Sequence, residues 1–505
     1  MTEKSILIIG AGVAGLSAGC YGQMNGFKTT IFELHTLPGG LCTSWKRKGY
    51  TFDGCIHWLV GSGETSAFHR IWDELGALQG TQIVNHTEFM RVVGGDGKTF
   101  IVYTDPDCLE KHMLELAPGD REVILEFTAA LRQAARMEML PPGTPGSLKE
   151  LWQSLRLLPT MLPMMGLVSK YGKMNVKQFS SRIQDPFLRE SFEAVFDLPD
   201  FPMLAVLMSL GFMAAQNAGY PIGGSLHFAQ AIEKRYLALG GQIHYQSRVS
   251  KILVENGNAV GLKLEDGSEV RADYVISAAD GHATIFEMLE GKYIDEEIRS
   301  NYANLPIFDP LVQVSLGVAL DLKDQPEMAS YQLAEPLEIA GQARARLGIK
   351  HFCYDPTLAP QGKSVIEVMF NSNYSYWKTL AEDSERYESE KKEIAIKIIN
   401  QIEQRIPGVK DRIEVVDVAT PLTYERYTGN WQGSMEGWLV STRGMENVLK
   451  GKSMSKTLPG LDHFYMVGQW VEPGGGLPPA ATSARGVVQL ICKREKQRFK
   501  TVVTA

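Results

Sequence analysis

The segment SILIIGAGVAGLSAG, beginning at Ser5, constrains this chain more than any other. SILII is a continuous aliphatic run without alternation, the pattern of a strand buried on both faces of a parallel sheet. GAGVAG then sets Gly10, Gly12 and Gly15 at the spacing GxGxxG. A helical pattern continues to Asn25 and stops at Gly26, a plausible C-cap. KTTIF, residues 28–32, reads as a second strand, and Glu33 stands at its end, 23 residues after Gly10. Strand, glycine turn, helix, strand and acid together make a dinucleotide-binding unit. Gly10 permits the tight turn, Gly12 lets a pyrophosphate approach the helix N-terminus, and Gly15 allows the helix to pack closely on the strand. Ala14 is counted with them as a contact, and Glu33 is placed to accept hydrogen bonds from a ribose.

Gly15-Leu16-Ser17-Ala18-Gly19 also matches GxSxG, the nucleophile elbow of serine hydrolases. That elbow needs its serine at the strand-to-helix turn itself. Here Gly10 to Gly12 occupy the turn and Ser17 falls inside the helix, so it is read as a small packing residue.

A second cluster of glycines follows in PGGLCTSWKRKGYTFDGCIHWLVG, residues 38–61. Glycine loses more conformational entropy on folding than other residues, so Gly39, Gly40, Gly49, Gly54 and Gly61 together need a reason. A backbone laid along an extended dinucleotide supplies one. The far end of the chain supplies a counterpart, FYMVGQWVEPGGGLPPAATSARGVVQLI at residues 464–491. It reads as a strand ending at Gly468, a loop through Gly474, Gly475 and Gly476, and a helix beginning near Pro478. A helix start directs N–H groups and a positive dipole end at its ligand, which suits the anionic pyrimidine edge of a reduced flavin.

Composition narrows the alternatives. A chain of 505 residues is too long for one core and suggests two or three units. The net charge of −7, without a long basic run, argues against nucleic acid. Six cysteines are scattered with no CxxC pair, and no HExxH occurs, so neither a disulfide framework nor a metal site is expected. The N-terminus enters a strand at Ser5 and leaves no room for a targeting segment. FPMLAVLMSLGFMAA, residues 201–215, is shorter than the ~20 residues that span a bilayer. A cytoplasmic protein, able to lie on a membrane surface, is the expectation.

Together, IIGAGVAGLSAG, FELHTLPGGLCTS, GYTFDGCIHWLVG, YPIGGSLHFAQAI and VGQWVEPGGGLPPAA resemble the phytoene desaturase superfamily of FAD-dependent oxidoreductases. Its relatives include carotenoid desaturases, carotenoid cis–trans isomerases and all-trans-retinol saturases. The resemblance covers about the first 60 residues, residues 220–280 and residues 464–491. It implies an α/β fold, with a Rossmann-type, three-layer, glutathione-reductase-like FAD-binding domain and a discontinuous α+β substrate domain. The FAD domain would be assembled from residues 1–104, 219–290 and 420–505. Residues 105–218 would form a helical, substrate- or membrane-facing region, and residues 291–419 a sheet and helix of the substrate domain.

Site residues follow from the same resemblance. Gly39, Gly40, Leu41, Gly468, Glu472, Gly475, Gly476 and Leu477 join the first glycine set as FAD contacts, with Glu472 acting through its backbone. Val249 is expected to meet the adenine through its backbone, in a stretch whose Asn256-Gly257 and Asp266-Gly267 pairs signal hairpins. The chain after Asp53 should pass the flavin ring, which makes His57 both a cofactor contact and, with Trp58 and Tyr424, a candidate catalytic residue.

Two further segments stand out. Residues 386–405 read as a half-buried helix with Ile394, Ile398 and Ile402 on one face. Residues 151–174 combine Met161, Met164, Met165 and Met174 with Pro159, Pro163, Arg156, Lys170 and Lys173, a composition suited to peripheral membrane contact or to gap-filling in a core. No second strand–GxGxxG–helix unit is found, so electrons are expected to pass to or from oxygen, a quinone or a partner protein rather than NAD(P)H. The leading function is desaturation or saturation of carbon–carbon bonds in a long apolar polyene or isoprenoid, such as a carotenoid or retinoid. The alternatives are a redox-neutral carotenoid isomerase, a flavin amine oxidase, and a non-enzymatic prenyl-binding escort protein, the last disfavoured by the intact glycine sets.

Overall fold

The computed structural model describes residues 4–137, 164–439, 454–472 and 475–503. A five-stranded parallel sheet is assembled from distant parts of the chain, in the order Gln242–His244, Lys28–Phe32, Ser5–Ile9, Tyr274–Ser277 and Phe464–Met466. Its central strand is buried on both faces. Ile6 and Ile8 pack into one core with the helices Val13–Met24, Gly224–Ala238 and Leu477–Arg494, while Leu7 and Ile9 pack into another. That second core is closed by Ile252, Ala259 and Leu262 of a three-stranded antiparallel sheet, Val249–Glu255, Asn258–Leu264 and Glu269–Arg271. Helices, parallel sheet and antiparallel sheet therefore form three layers, the α/β Rossmann-type arrangement expected. The turn joining the first two antiparallel strands places Asn256 at φ 52° and Gly257 at φ 76°, the left-handed pair that the Asn-Gly signal foretold.

The first helix owes its position to small residues. A Cβ on Gly19 would come within 2.6 Å of the Tyr236 ring, and one on Gly15 would overlap the Gly10 carbonyl. This close approach brings the helix start up against the glycine turn.

A seven-stranded sheet makes the second unit, in the order Ile413–Ala419, Leu311–Val318, Ser364–Asn371, Gln342–His351, Met328–Ile339, Glu88–Val93 and Thr99–Tyr103. The helix Ser384–Glu403 covers it with Ile394, Ile398 and Ile402. Its last two strands differ from the expectation that residues 1–104 serve one unit. Glu88–Val93 pairs in parallel with Met328–Ile339 (Arg91 opposite Ala329), and Phe100 and Val102 pack under the helices Arg121–Ala134 and Met203–Ala214. A pairing across more than 230 positions leaves no local trace in sequence. Among the described residues, no helix is long and apolar enough to cross a membrane.

Candidate active site

A cleft of about 570 Å³ opens at the carboxyl ends of the parallel strands, where open α/β sheets bind their ligands. Its floor is the first glycine turn. Gly10, at φ 93°, donates its amide to the Phe32 carbonyl at 2.8 Å and so ties the turn to the neighbouring strand. Gly39 donates to the Ala11 carbonyl at 2.9 Å, which brings the second glycine segment alongside the first. Glu33 ends the second strand with its carboxylate turned back on this turn, accepting from the Ala11 amide at 2.6 Å and the His35 amide at 2.8 Å. Burial pushes the Glu33 carboxyl up, and those amides oppose the shift by favouring the charged form.

At the other end stands the helix Leu477–Arg494, capped by Gly476 at φ 82° with prolines in its first turn. Gly10, Gly12, Ala14, Glu33, Gly39, Gly40, Leu41, Val249, Gly468, Gly476 and Leu477 all line the cleft. Gly15 lies behind it, packed on Gly10. Glu472 is outside the lining: its carboxylate is paired with Lys456 and accepts from the Thr482 hydroxyl, and its amide donates to the Gly468 carbonyl at 3.0 Å. Gly475 sits against the Glu436 carboxylate, and Gly474 lies outside the described residues. Asp280 also lines the cleft, bonded by the amides of Ala283 and Trp431 at 2.8 and 2.9 Å, and burial raises its carboxyl to about 6.

The cleft suits a flavin dinucleotide. Among the described residues, a Cβ on Gly12 would meet just the Gly39 carbonyl, at 3.8 Å, so the cradle is open there where a pyrophosphate would lie against the helix start. The acid stands at one end and a second helix N-terminus at the other.

His57 and Trp58 lie elsewhere. They line a separate cavity of about 40 Å³ with His86, Phe89, Met213, Glu327, Met328, Lys350 and Tyr354. Cys55, two residues earlier, lines the cofactor cleft, so residues 55–57 form the partition between the two spaces. The Lys350 ammonium donates to His57 Nδ1 at 2.6 Å, and burial lowers both groups. Tyr424 is buried beneath the partition, where its hydroxyl donates to Gln313 Oε1 at 2.7 Å. The Gln313 amide in turn donates to the Asp53 carbonyl at 2.8 Å.

Asp53 is the centre that sequence reasoning missed. Its carboxylate accepts from the Ser225 hydroxyl and amide, and from the amides of Cys55 and Ile56. Glu367 accepts the Asp53 amide at 3.1 Å, and Lys350 is the cross-strand neighbour of Glu367. The motifs FDGCIHW and YPIGGS carried the signal, but not the contact between them.

These features define a class. The profile of the flavin containing amine oxidoreductase family matches residues 13–492, and the chain belongs to that family. It is an FAD-dependent oxidoreductase, with FAD as its cofactor. Among curated proteins it is 24% identical over 498 residues to the chloroplastic prolycopene isomerase of Daucus carota, covering 95% of this chain and 78% of that one. It is 25% identical over 518 residues to the neurosporene-forming phytoene desaturase of Rhodobacter capsulatus, covering 96% and 93%. The superfamily read from the motifs is thus the one to which its relatives belong. Among solved structures, an oxidoreductase from Methanosarcina mazei has a TM-score of 0.61 at 19% identity, covering 96% of this chain and all of that one. A putrescine oxidase mutant has a TM-score of 0.63 at 12% identity, covering 97% and 99%. At these identities the solved structures establish the fold alone.

Proposed function

We propose that this flavoenzyme carries out net redox chemistry, desaturation or saturation, on carbon–carbon bonds of a long apolar polyene or isoprenoid of the carotenoid or retinoid kind. The observation that carries the reading is an aromatic path leading from the partition. Trp58 packs edge-on against Phe89 with centroids 5.4 Å apart, Phe89 meets Phe196 at 5.6 Å, and Phe196 stacks on Phe201 at 5.6 Å. Met213 and Met328 border the same cavity. Rigid rings and adaptable thioethers suit a conjugated hydrocarbon. The names of the desaturase and isomerase relatives point the same way.

In this reading Gly10, Gly12 and Ala14 hold the pyrophosphate and Glu33 the adenosine ribose. Val249 meets the adenine through its backbone. Gly39, Gly40 and Leu41 follow the cofactor, and Gly468, Gly475, Gly476 and Leu477 receive its ring. Glu472 fixes the turn that begins at Gly468. Bound FAD supplies two-electron hydride chemistry. His57, neutral and held by Lys350, is the substrate-side group able to hold or move a proton. Trp58 walls the substrate space, and Tyr424 positions the partition through Gln313. Oxygen, a quinone or a partner protein exchanges electrons with the site, in a cytoplasmic protein with peripheral membrane contact.

A second reading, oxidation of an amine, has one observation in its favour: the Glu327 carboxylate, paired with His86, borders the substrate cavity and would suit an ammonium group. Anaerobic mixing with a detergent-dispersed polyene and, separately, with a diamine tests both. With the polyene, desaturation is expected to bleach the oxidised-flavin band at about 450 nm and give a product two hydrogens lighter, whereas saturation is expected to restore that band in enzyme reduced beforehand and give a product two hydrogens heavier. Bleaching by the diamine alone would reverse the assignment.

A further inference from the structure

The strands Ser44–Arg47 and Tyr50–Asp53 form a hairpin in which Ser44 stands opposite Asp53. The Gly54 amide still donates to the Thr43 carbonyl at 2.9 Å beyond the last pair. Continuing the register one step further sets Cys42 opposite Cys55. Facing residues in such a ladder have Cα atoms about 4.5–5.5 Å apart, inside the roughly 4.4–6.8 Å that a disulfide spans. Both cysteines are free and both line the cofactor cleft; the Cys42 thiol donates to the Ser225 carbonyl at 3.4 Å, with the Cys55 thiol as its electrostatic neighbour. Cys20 and Cys492 lie away from this cleft, at the Ile232 carbonyl and the Gln497 amide.

We propose that Cys42 and Cys55 form a reversible dithiol–disulfide pair in the wall of the cofactor cleft, oxidised by a low-molecular-weight disulfide of the glutathione class. Cys55 is the half-buried member and Cys42 the fully buried one. The Cys55 sulfur, as thiolate, attacks one sulfur of the oxidant, releases one thiol and becomes a mixed disulfide. Cys42 then attacks the Cys55 sulfur and releases the second thiol. One protein disulfide forms and the oxidant's disulfide is reduced to two thiols, which carry away both protons and both electrons. Burial pushes the Cys42 thiol up, which makes the second step the slower one. The closed form ties the start of the partition at Cys55 to the glycine segment beside Gly40, across the edge of the flavin site.

The flavin-loaded full chain, equilibrated in glutathione buffers of rising oxidised-to-reduced ratio, alkylated and mapped by mass without reduction, tests this. Lys46, Arg47 and Lys48 lie between the two cysteines, so trypsin separates them. A peptide pair joining Cys42 to Cys55, two hydrogens lighter than the sum and released by dithiothreitol, is expected. Cys55→Ser should abolish the pair, while Cys108→Ser, on an exposed helix, should leave it intact. Full alkylation of both cysteines at every ratio, or arrest at a glutathione adduct on Cys55, would overturn the proposal. The wild-type map decides the matter even if Cys55→Ser does not fold.

Discussion

Asp53 accepts hydrogen bonds from the amide and the hydroxyl of Ser225, 172 residues away, at 2.6 and 2.5 Å. Ser225 lies in the first turn of the helix Gly224–Ala238, so the carboxylate both satisfies an otherwise unpaired N–H and faces the positive end of the helix dipole. A Cβ on Gly224 would collide with the same carboxylate, which explains a glycine held at φ 64°. Because Asp53 also holds the amides of Cys55 and Ile56, it fixes the partition between the larger cleft and the cavity lined by His57 and Trp58.

Asp53→Ala should therefore destabilise the protein by about 2–4 kcal/mol, since several buried donors lose a charged acceptor at once. Urea unfolding of the flavin-loaded protein measures it. A change below about 0.5 kcal/mol, the range of ordinary surface substitutions, would mean that the knot carries little.

The glycine turn separates fold from cofactor. Gly12 has room for a side chain and φ −64°, whereas a Cβ on Gly15 would overlap the Gly10 carbonyl. Gly12→Val should leave the apoprotein's melting temperature nearly unchanged yet lower FAD content severalfold. Gly15→Val should lower both. Equal flavin occupancy in wild type and Gly12→Val would place the pyrophosphate elsewhere.

The legibility of the chain follows the same division. The first strand, turn, helix and acid could be read because every determinant lies within about thirty consecutive residues, and the Asn256-Gly257 turn and the Ile394 face were local in the same way. His57 could not be placed. Its position depends on Asp53 reaching Ser225 and on Lys350, a lysine in an otherwise ordinary strand sequence, QARARLGIKH. The strands near residues 88–103 were assigned to the first unit because their partner is distant. Cys42 and Cys55 looked scattered because a register, not a CxxC spacing, brings them together.

Stability should depend on pH through Asp280. Its folded carboxyl is raised by burial to about 6 from an ordinary 3.8, so between those values the folded protein holds a proton that the unfolded chain has released. Stability therefore falls as pH rises through that window, by up to about 3 kcal/mol at 1.36 kcal/mol per pKa unit. Asp280→Asn should flatten the fall. Denaturant unfolding of both proteins at fixed excess flavin, at pH 4.5 and 6.5, provides the comparison, and parallel pH profiles would remove Asp280 as the cause.

Membrane contact is testable at residues 164–174; residues 151–163, with Arg156, Pro159, Met161 and Pro163, lie outside the described residues. Met165 is 63% exposed, whereas Leu167 and Tyr171 are buried and Lys170 pairs with Glu126 at 3.1 Å. Sedimentation with anionic vesicles at low salt is expected, weakened by Lys170→Glu with Lys173→Glu and by raised salt. Absence of sedimentation would leave the segment as part of the helical core.

Reoxidation and reduction of the flavin should not run through a bound nicotinamide. GNAVG, residues 257–261, the other glycine-bearing stretch of suggestive spacing, runs into the antiparallel strand Asn258–Leu264 and has no helix N-terminus behind it. Gly476 caps the helix at the far end of the larger cleft, and among the described residues one parallel sheet supplies the dinucleotide geometry. A nicotinamide bound in the two-Rossmann manner needs a second such unit. Anaerobic stopped-flow mixing of the oxidised enzyme with NADPH should therefore give slow bleaching, linear in NADPH concentration and accelerated by a quinol or a reductase. Fast bleaching that saturates with NADPH would demonstrate a specific site and overturn this expectation, because saturation requires a complex formed before hydride transfer.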